Sequence, residues 1–168
     1  MHRERSLFSI INEYRKQIPV NLYGLLKELN IELLYSPLKD NLSGIIQKID
    51  DNYRIIVNET HSETRQRFTI AHELGHFIYH RDLIGDGIAD NIAYRCEFPN
   101  EYNNPNIGSR EETEANKFAV NLLMPHEIVE SYRKKITGIS DNGLVEKMAN
   151  EFNVSKQAIA IKLRVQYT

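Results

Sequence analysis

The sequence predicts an α+β fold in which a small, mainly antiparallel sheet packs on helices and a helical segment follows at the C-terminal end. Two observations carry this. Apolar residues recur at intervals of three and four in both the first and last thirds of the chain, and between about residues 31 and 58 they condense into short β-branched runs separated by turn formers. The bulk numbers agree: 168 residues with 41% hydrophobic and 26% charged side chains suit a globular protein that buries its own core. A formal charge of -2 gives no global pull toward nucleic acid or anionic membrane. The single cysteine, Cys96, cannot form an internal disulfide. No stretch reaches the roughly 20 apolar residues of a membrane span, so a cytoplasmic protein is expected.

From Ser6 to Lys16, the spacing of Leu7, Ile10, Ile11 and Tyr14 predicts a helix with one buried face. After Pro19, Asn21 is placed to cap a second helix, "LYGLLKEL". The runs "IELLYSP", "LSGIIQKID" and "YRIIVNET" form the sheet, with Asp50, Asp51 and Asn52 as the turn between the last two. Thr60 and Glu63 have the spacing of a capping box, and Phe68, Ile70, Ala71, Leu74, Phe77 and Ile78 then repeat helically to about His80. That helix is apolar enough to be the central one. "NIAYRCEF" reads as a strand, and "PNEYNNPNIGS", dense in Asn, Pro and Gly, as an exposed loop. Ser109 is placed to cap a helix with the stripe Ala115, Phe118, Ala119, Leu122 and Leu123, ended by Pro125. A last helical segment spans about Gly143 to Val165, and no internal repeat interrupts the chain.

Inside the central helix lies His72-Glu73-Leu74-Gly75-His76. Residues four apart stand one turn above each other, so the two imidazoles reach a single ion at the roughly 2.0–2.1 Å of a zinc–nitrogen bond. Glu73 projects a third of a turn away, beside the metal, where its carboxylate takes a proton from a water. Gly75 costs about 1 kcal/mol relative to Ala in a helix interior, a loss that suits a place where another backbone comes close. The competing reading is chance: three fixed residues in five recur in unrelated proteins, and surface helices carry histidines that bind nothing. The neighbours argue against it, because imidazoles and a carboxylate buried beside Phe68, Ile70 and Phe77 need a partner.

Two histidines leave zinc undercoordinated. Among Glu111, Glu112 and Glu114, helical phase points Glu112 with the buried stripe and Glu114 toward Lys117 and Asn121, so Glu112 is the expected third ligand. Asn116, one turn on, is then placed to hydrogen-bond the outer ring nitrogen of a liganding histidine. The alternative for Glu112 is a capping box with Ser109. His80 continues the series but has drifted around the axis, and interaction with the last carbonyls of its helix is favoured over ligation. Cys96 is a soft ligand in principle, and packing is favoured.

"RQRFTIAHELGHFIYH" followed by "EETEANKFAVNLLMP" resembles the ImmA/IrrE family of zinc metallopeptidases, over roughly residues 20 to 165. The resemblance implies zincin-type active-site helices that hold Zn2+ through His72, His76 and Glu112, with Glu73 as catalytic base and Asn116 as the family's asparagine. It also implies biology: relatives act as anti-repressors, commonly cleaving a helix-turn-helix repressor encoded beside them on a phage or mobile element. On that basis residues 1–135 form the metallopeptidase domain and 136–168 a helix-turn-helix-like segment packed on it. The stretch "DGIADNIAYRCEFPNEYNNPNIGS" is longer than in compact members, which bears on substrate fit and not on the ligands.

The implied reaction is peptide hydrolysis, with Tyr94, Tyr102 and His126 as candidates only to steady the oxyanion, a structural role being favoured for each. Two rival functions remain. "VEKMANEFNVSKQAIAIKLR" has helix-turn-helix character and sets Lys156, Lys162 and Arg164 on one basic helix, which suits DNA phosphates. Asn153 where glycine is preferred and the acidic chain overall favour packing instead. The other rival is a zinc-bound regulator that sequesters a repressor without cutting it.

Overall fold

The computed structural model describes residues 6–39, 42–84 and 108–167. Among these, the elements run α1 (Leu7–Tyr14), α2 (Leu22–Glu28), β1 (Ile31–Ser36), β2 (Gly44–Ile49), β3 (Asn52–Asn58), α3 (Glu63–Tyr79), α4 (Ser109–Leu123), α5 (His126–Lys135), α6 (Asp141–Phe152) and α7 (Lys156–Leu163). A 3-10 turn, Arg81–Leu83, follows α3. The fold is α+β.

Short polar side chains start the helices as expected. Ser6 accepts from the Ser9 amide at 3.2 Å, and Asn21 from that of Gly24 at 2.9 Å. Ser140 accepts from Gly143 N at 3.2 Å, and Ser155 from Ala158 N at 3.1 Å. Each satisfies a donor that the first helical turn leaves unpaired. The spacing between Thr60 and Glu63 did not make a capping box. The Thr60 hydroxyl instead donates to Asn58 Oδ1 at 2.8 Å, and Ser62 takes the N-cap position of α3.

The sheet is mixed, with order β1-β3-β2. β2 and β3 form the expected antiparallel hairpin, but β1 runs parallel to β3. The reason lies in the connection after Ser36, which passes the C-terminal end of β3 before the chain returns as β2. Asn58, fully buried there, holds that crossing: its side-chain amide donates to the Leu42 carbonyl at 2.9 Å and its carbonyl accepts from Thr60 N at 3.1 Å. Runs of β-branched residues report strands but carry no mark of a crossing held by one asparagine.

α3 is the central element. Its Ile70, Ala71, Leu74 and Phe77 pack in one cluster with Ile46, Ile55 and Val57 of the sheet and Ala119, Leu122 and Leu123 of α4. Val145, Met148 and Phe152 of α6 and Ile159 of α7 join the same cluster. Arg67 ties the periphery to α3, donating to the Asn153 carbonyl at 3.1 Å and to the Val20 carbonyl at 2.9 Å. The last helical segment is two helices, because Asn153 takes the left-handed conformation (φ 50°, ψ 56°) that ends α6. α5 has no counterpart in the reading of the sequence. Pro125 does end α4, yet the chain re-enters a helix at once, with Val129 as its buried anchor. "NIAYRCEF" lies outside the described residues. No described helix is long and apolar enough to cross a membrane.

Candidate metal centre

Two glycines let three elements converge. A Cβ on Gly75 would stand 2.9 Å from the Ala115 Cα and 3.1 Å from its carbonyl oxygen, so α4 runs directly against the backbone of α3. A Cβ on Gly44 would collide with the Thr69 methyl and stand 3.7 Å from Glu73 Oε1, so the start of β2 closes on α3 beside Glu73. His72, Glu73 and His76 are fully buried as a result.

The three acids at the start of α4 have separate partners. The helix begins at Ser109 with Gly108 as its N-cap, and Glu111, not Glu112, accepts from the Gly108 amide at 2.8 Å. Shifted by one residue, the cap leaves Glu112 to face the histidines. Glu112 Oε2 lies 3.3 Å from His72 Nε2 and Oε1 lies 3.4 Å from His76 Nε2, while the two Nε2 atoms are 3.0 Å apart. Glu114 turns to His80, its Oε2 3.1 Å from His80 Nε2.

The outer ring nitrogens decide which atoms carry lone pairs. His72 Nδ1 meets the Asn116 amide oxygen at 2.9 Å, an acceptor, so Nδ1 carries the proton and Nε2 the lone pair. His80 Nε2 must donate to the Glu114 carboxylate, which makes the Nδ1 of a neutral His80 an acceptor. His76 Nδ1 then donates to it at 3.2 Å, again leaving a lone pair on Nε2. Two lone pairs and a carboxylate thus point at one spot.

That arrangement fits a metal ion. Ligands about 2.0–2.1 Å from one tetrahedral zinc stand about 3.3 Å from each other, and the separations here are 3.0 to 3.4 Å. The electrostatics say the same. Burial opposes charge on His72, but Glu112, Glu73 and Asn116 outweigh it and raise its pKa. At His76 burial prevails and the pKa falls. Burial also works to raise the Glu112 pKa, yet the two rings, as donors and positive charges in their protonated forms, hold it down to about 2. A carboxylate pressed against two rings draws in positive charge, and a divalent cation supplies it while displacing the proton.

His72, His76, Glu112, Glu73 and Asn116 therefore stand together on α3 and α4. Tyr94, Tyr102 and Cys96 lie outside the described residues. His126 begins α5 and lines a cleft with Phe8, Tyr79 and Phe118 instead of joining the three converging groups. Two residues have more to do here than the sequence suggested. The ring of His80, 6% exposed, pairs with His76 and Glu114 and not with the helix's last carbonyls. Glu114 points to that ring, although helical phase set it toward Lys117 and Asn121. The available signal was the His76–His80 spacing, which repeats that of His72 and His76.

A family model of peptidase M78, described as the IrrE N-terminal-like domain, matches residues 26–164. The chain belongs to this family. M78 is zinc-associated, and its match bears out the resemblance that the two sequence blocks carry. The chain is also similar to "Uncharacterized immunity region protein 2" of Bacillus phage phi105, at 24% identity over 151 residues covering 88% of this chain and 86% of the relative. The M78 family is a peptidase family, and in this member the described residues offer His72, His76 and Glu112 as a group that could hold a metal.

Proposed function

We propose that this protein is a zinc-dependent endopeptidase that cleaves a helix-turn-helix transcriptional repressor, as an anti-repressor. The observation that carries the reading is the convergence of His72 Nε2, His76 Nε2 and the Glu112 carboxylate within 4.8 Å of one another, with Glu73 buried on the same turn of α3 as His72. Two buried ring nitrogens that meet lone pair to lone pair are costly without a cation between them.

His72, His76 and Glu112 would hold the zinc, whose chemistry is that of a Lewis acid: it acidifies a water and polarises a peptide carbonyl. Glu73 is the base. Its carboxylate takes the water's proton as the oxygen adds to the carbonyl carbon, then returns it to the amine nitrogen as the C–N bond breaks. Glu73 is buried with its carboxylate against the start of β2 at Gly44, near enough for its charge to act on His72. Asn116 fixes the His72 ring through its outer nitrogen. The repressor as substrate is supported by the family and by the phage immunity-region relative.

The test is incubation with the repressor encoded nearest to the gene, with and without a chelator, alongside Glu73→Gln. Fragments that appear only with the wild-type protein and free metal are the expected result. Co-elution of intact repressor, with no fragment under any condition, would mean sequestration and would refute proteolysis.

A further inference from the structure

Two histidines hold the centre, but their outer nitrogens are supported differently. His72 meets one amide oxygen from α4. His76 instead heads a relay that reaches the surface: His76 Nδ1 to His80 Nδ1 at 3.2 Å, His80 Nε2 to Glu114 Oε2 at 3.1 Å, and Glu114 Oε1 to Arg110 Nε at 3.1 Å. The ring of His80 is 6% exposed and Glu114 is 40% exposed at its side chain, so the relay runs from solvent to the ligand.

A plain capping role does not account for the ring. The His80 main-chain N–H already donates to the His76 carbonyl at 2.8 Å, and any residue does that. What only the side chain supplies is an acceptor for His76 Nδ1–H. Glu112 Oε1, 3.4 Å from His76 Nε2, competes for the same proton from the other side of the ring. If the proton sat on Nε2, it would occupy the lone pair that a metal needs.

We infer that His80 and Glu114 are a positioning pair: Glu114 holds the proton of His80 on Nε2, and His80 Nδ1 then holds that of His76 on Nδ1, which aims the His76 lone pair at the metal centre. This rests on the metal reading of His72, His76 and Glu112 given above. Neither residue touches substrate or metal.

The experiment compares zinc dissociation constants, by competition with a chromophoric chelator, in the full chain and in His80→Leu, His80→Gln and Glu114→Ala. Leu fills space without an acceptor, whereas Gln offers an oxygen to His76 and an amide donor to Glu114. His80→Leu is expected to weaken zinc about 10- to 100-fold, Gln to recover most of that loss, and Glu114→Ala to show a smaller loss. Long-range proton–nitrogen NMR of the metal-free protein, at mildly alkaline pH where imidazoles are neutral, should find His76 as the Nδ1–H tautomer and its population moved toward Nε2–H by His80→Leu. Unchanged affinity in His80→Leu overturns the inference, and so does a Gln variant as weak as Leu. Should His80→Leu not fold, Glu114→Ala at the half-exposed end of the relay decides by the same ratio. A wild-type chain that takes up no zinc would sink the metal reading, while the His76 tautomer would still decide the positioning pair.

Discussion

The seam between α3 and α4 and the α6–α7 unit are both helix pairs packed on the same core, yet they obey opposite rules. In α6 and α7 the buried positions are Val145, Met148, Ala149, Phe152, Ile159, Ala160 and Leu163, all apolar. Their charges stay at the rim, where Lys156 pairs with Glu146 at 2.7 Å with both side chains about half exposed. In the seam, two imidazoles and a carboxylate are fully buried on one helix and a second carboxylate faces them from the next. Burying polar groups costs several kcal/mol unless they are satisfied. A chain that meets that cost in one helix pair and avoids it in the other makes the seam its candidate site. The α6–α7 unit reads as support for α3, through Arg67 and the Asn153 carbonyl.

If the contrast is functional, removing the polar groups of the seam should remove activity or metal without unfolding the chain, whereas changes to packing or to other regions should act on stability alone, in proportion to their burial. Glu73→Gln should abolish cleavage, a loss of at least about 10²–10⁴-fold, with zinc content by mass spectrometry unchanged. Retained turnover would remove Glu73 as the base. Glu112→Ala should weaken zinc by well over the about 10-fold typical of a residue that only supports a ligand, read by chelator competition. Arg67→Ala should lower the free energy of unfolding in denaturant by roughly 2–3 kcal/mol, since it removes two charged donors from main-chain carbonyls, while the folded fraction keeps its zinc. Gly75→Ala sets about 1 kcal/mol of better helix propensity against a larger clash with the α4 backbone, for a net loss of about 1–2 kcal/mol. Lys156→Ala should change stability by less than about 0.5 kcal/mol, as an exposed ion pair does. A large loss of salt-dependent DNA retention in that variant would favour the DNA-binding reading of α7.

Helical phase made much of the seam legible. The four-residue spacing of His72 and His76 set both rings on one face, and the apolar stripe of α4 turned Glu112 toward them. Phase is a property of one helix, however, and what it missed depends on two. The stripe of α4 sets Glu114 pointing away from the core, whereas His80 reaches it from the end of α3. The cap of α4 lies one residue before the Ser109 that the sequence offers, since Gly108 has no side chain to announce itself and Glu111 supplies the hydrogen bond instead. The direction of β1 was hidden for a similar reason: it follows from a crossing that Asn58 holds with main-chain carbonyls distant in sequence. Local pattern thus conveyed which residues are buried, and long-range polar contacts determined how they are joined.

The most direct test of the account is elemental analysis of the purified chain after exposure to zinc and removal of excess, together with the triple variant His72→Ala, His76→Ala, Glu112→Ala. One equivalent of zinc in the wild-type protein and none in a folded triple variant is the predicted result. A wild-type chain free of metal, or a triple variant that still holds one equivalent, would contradict it.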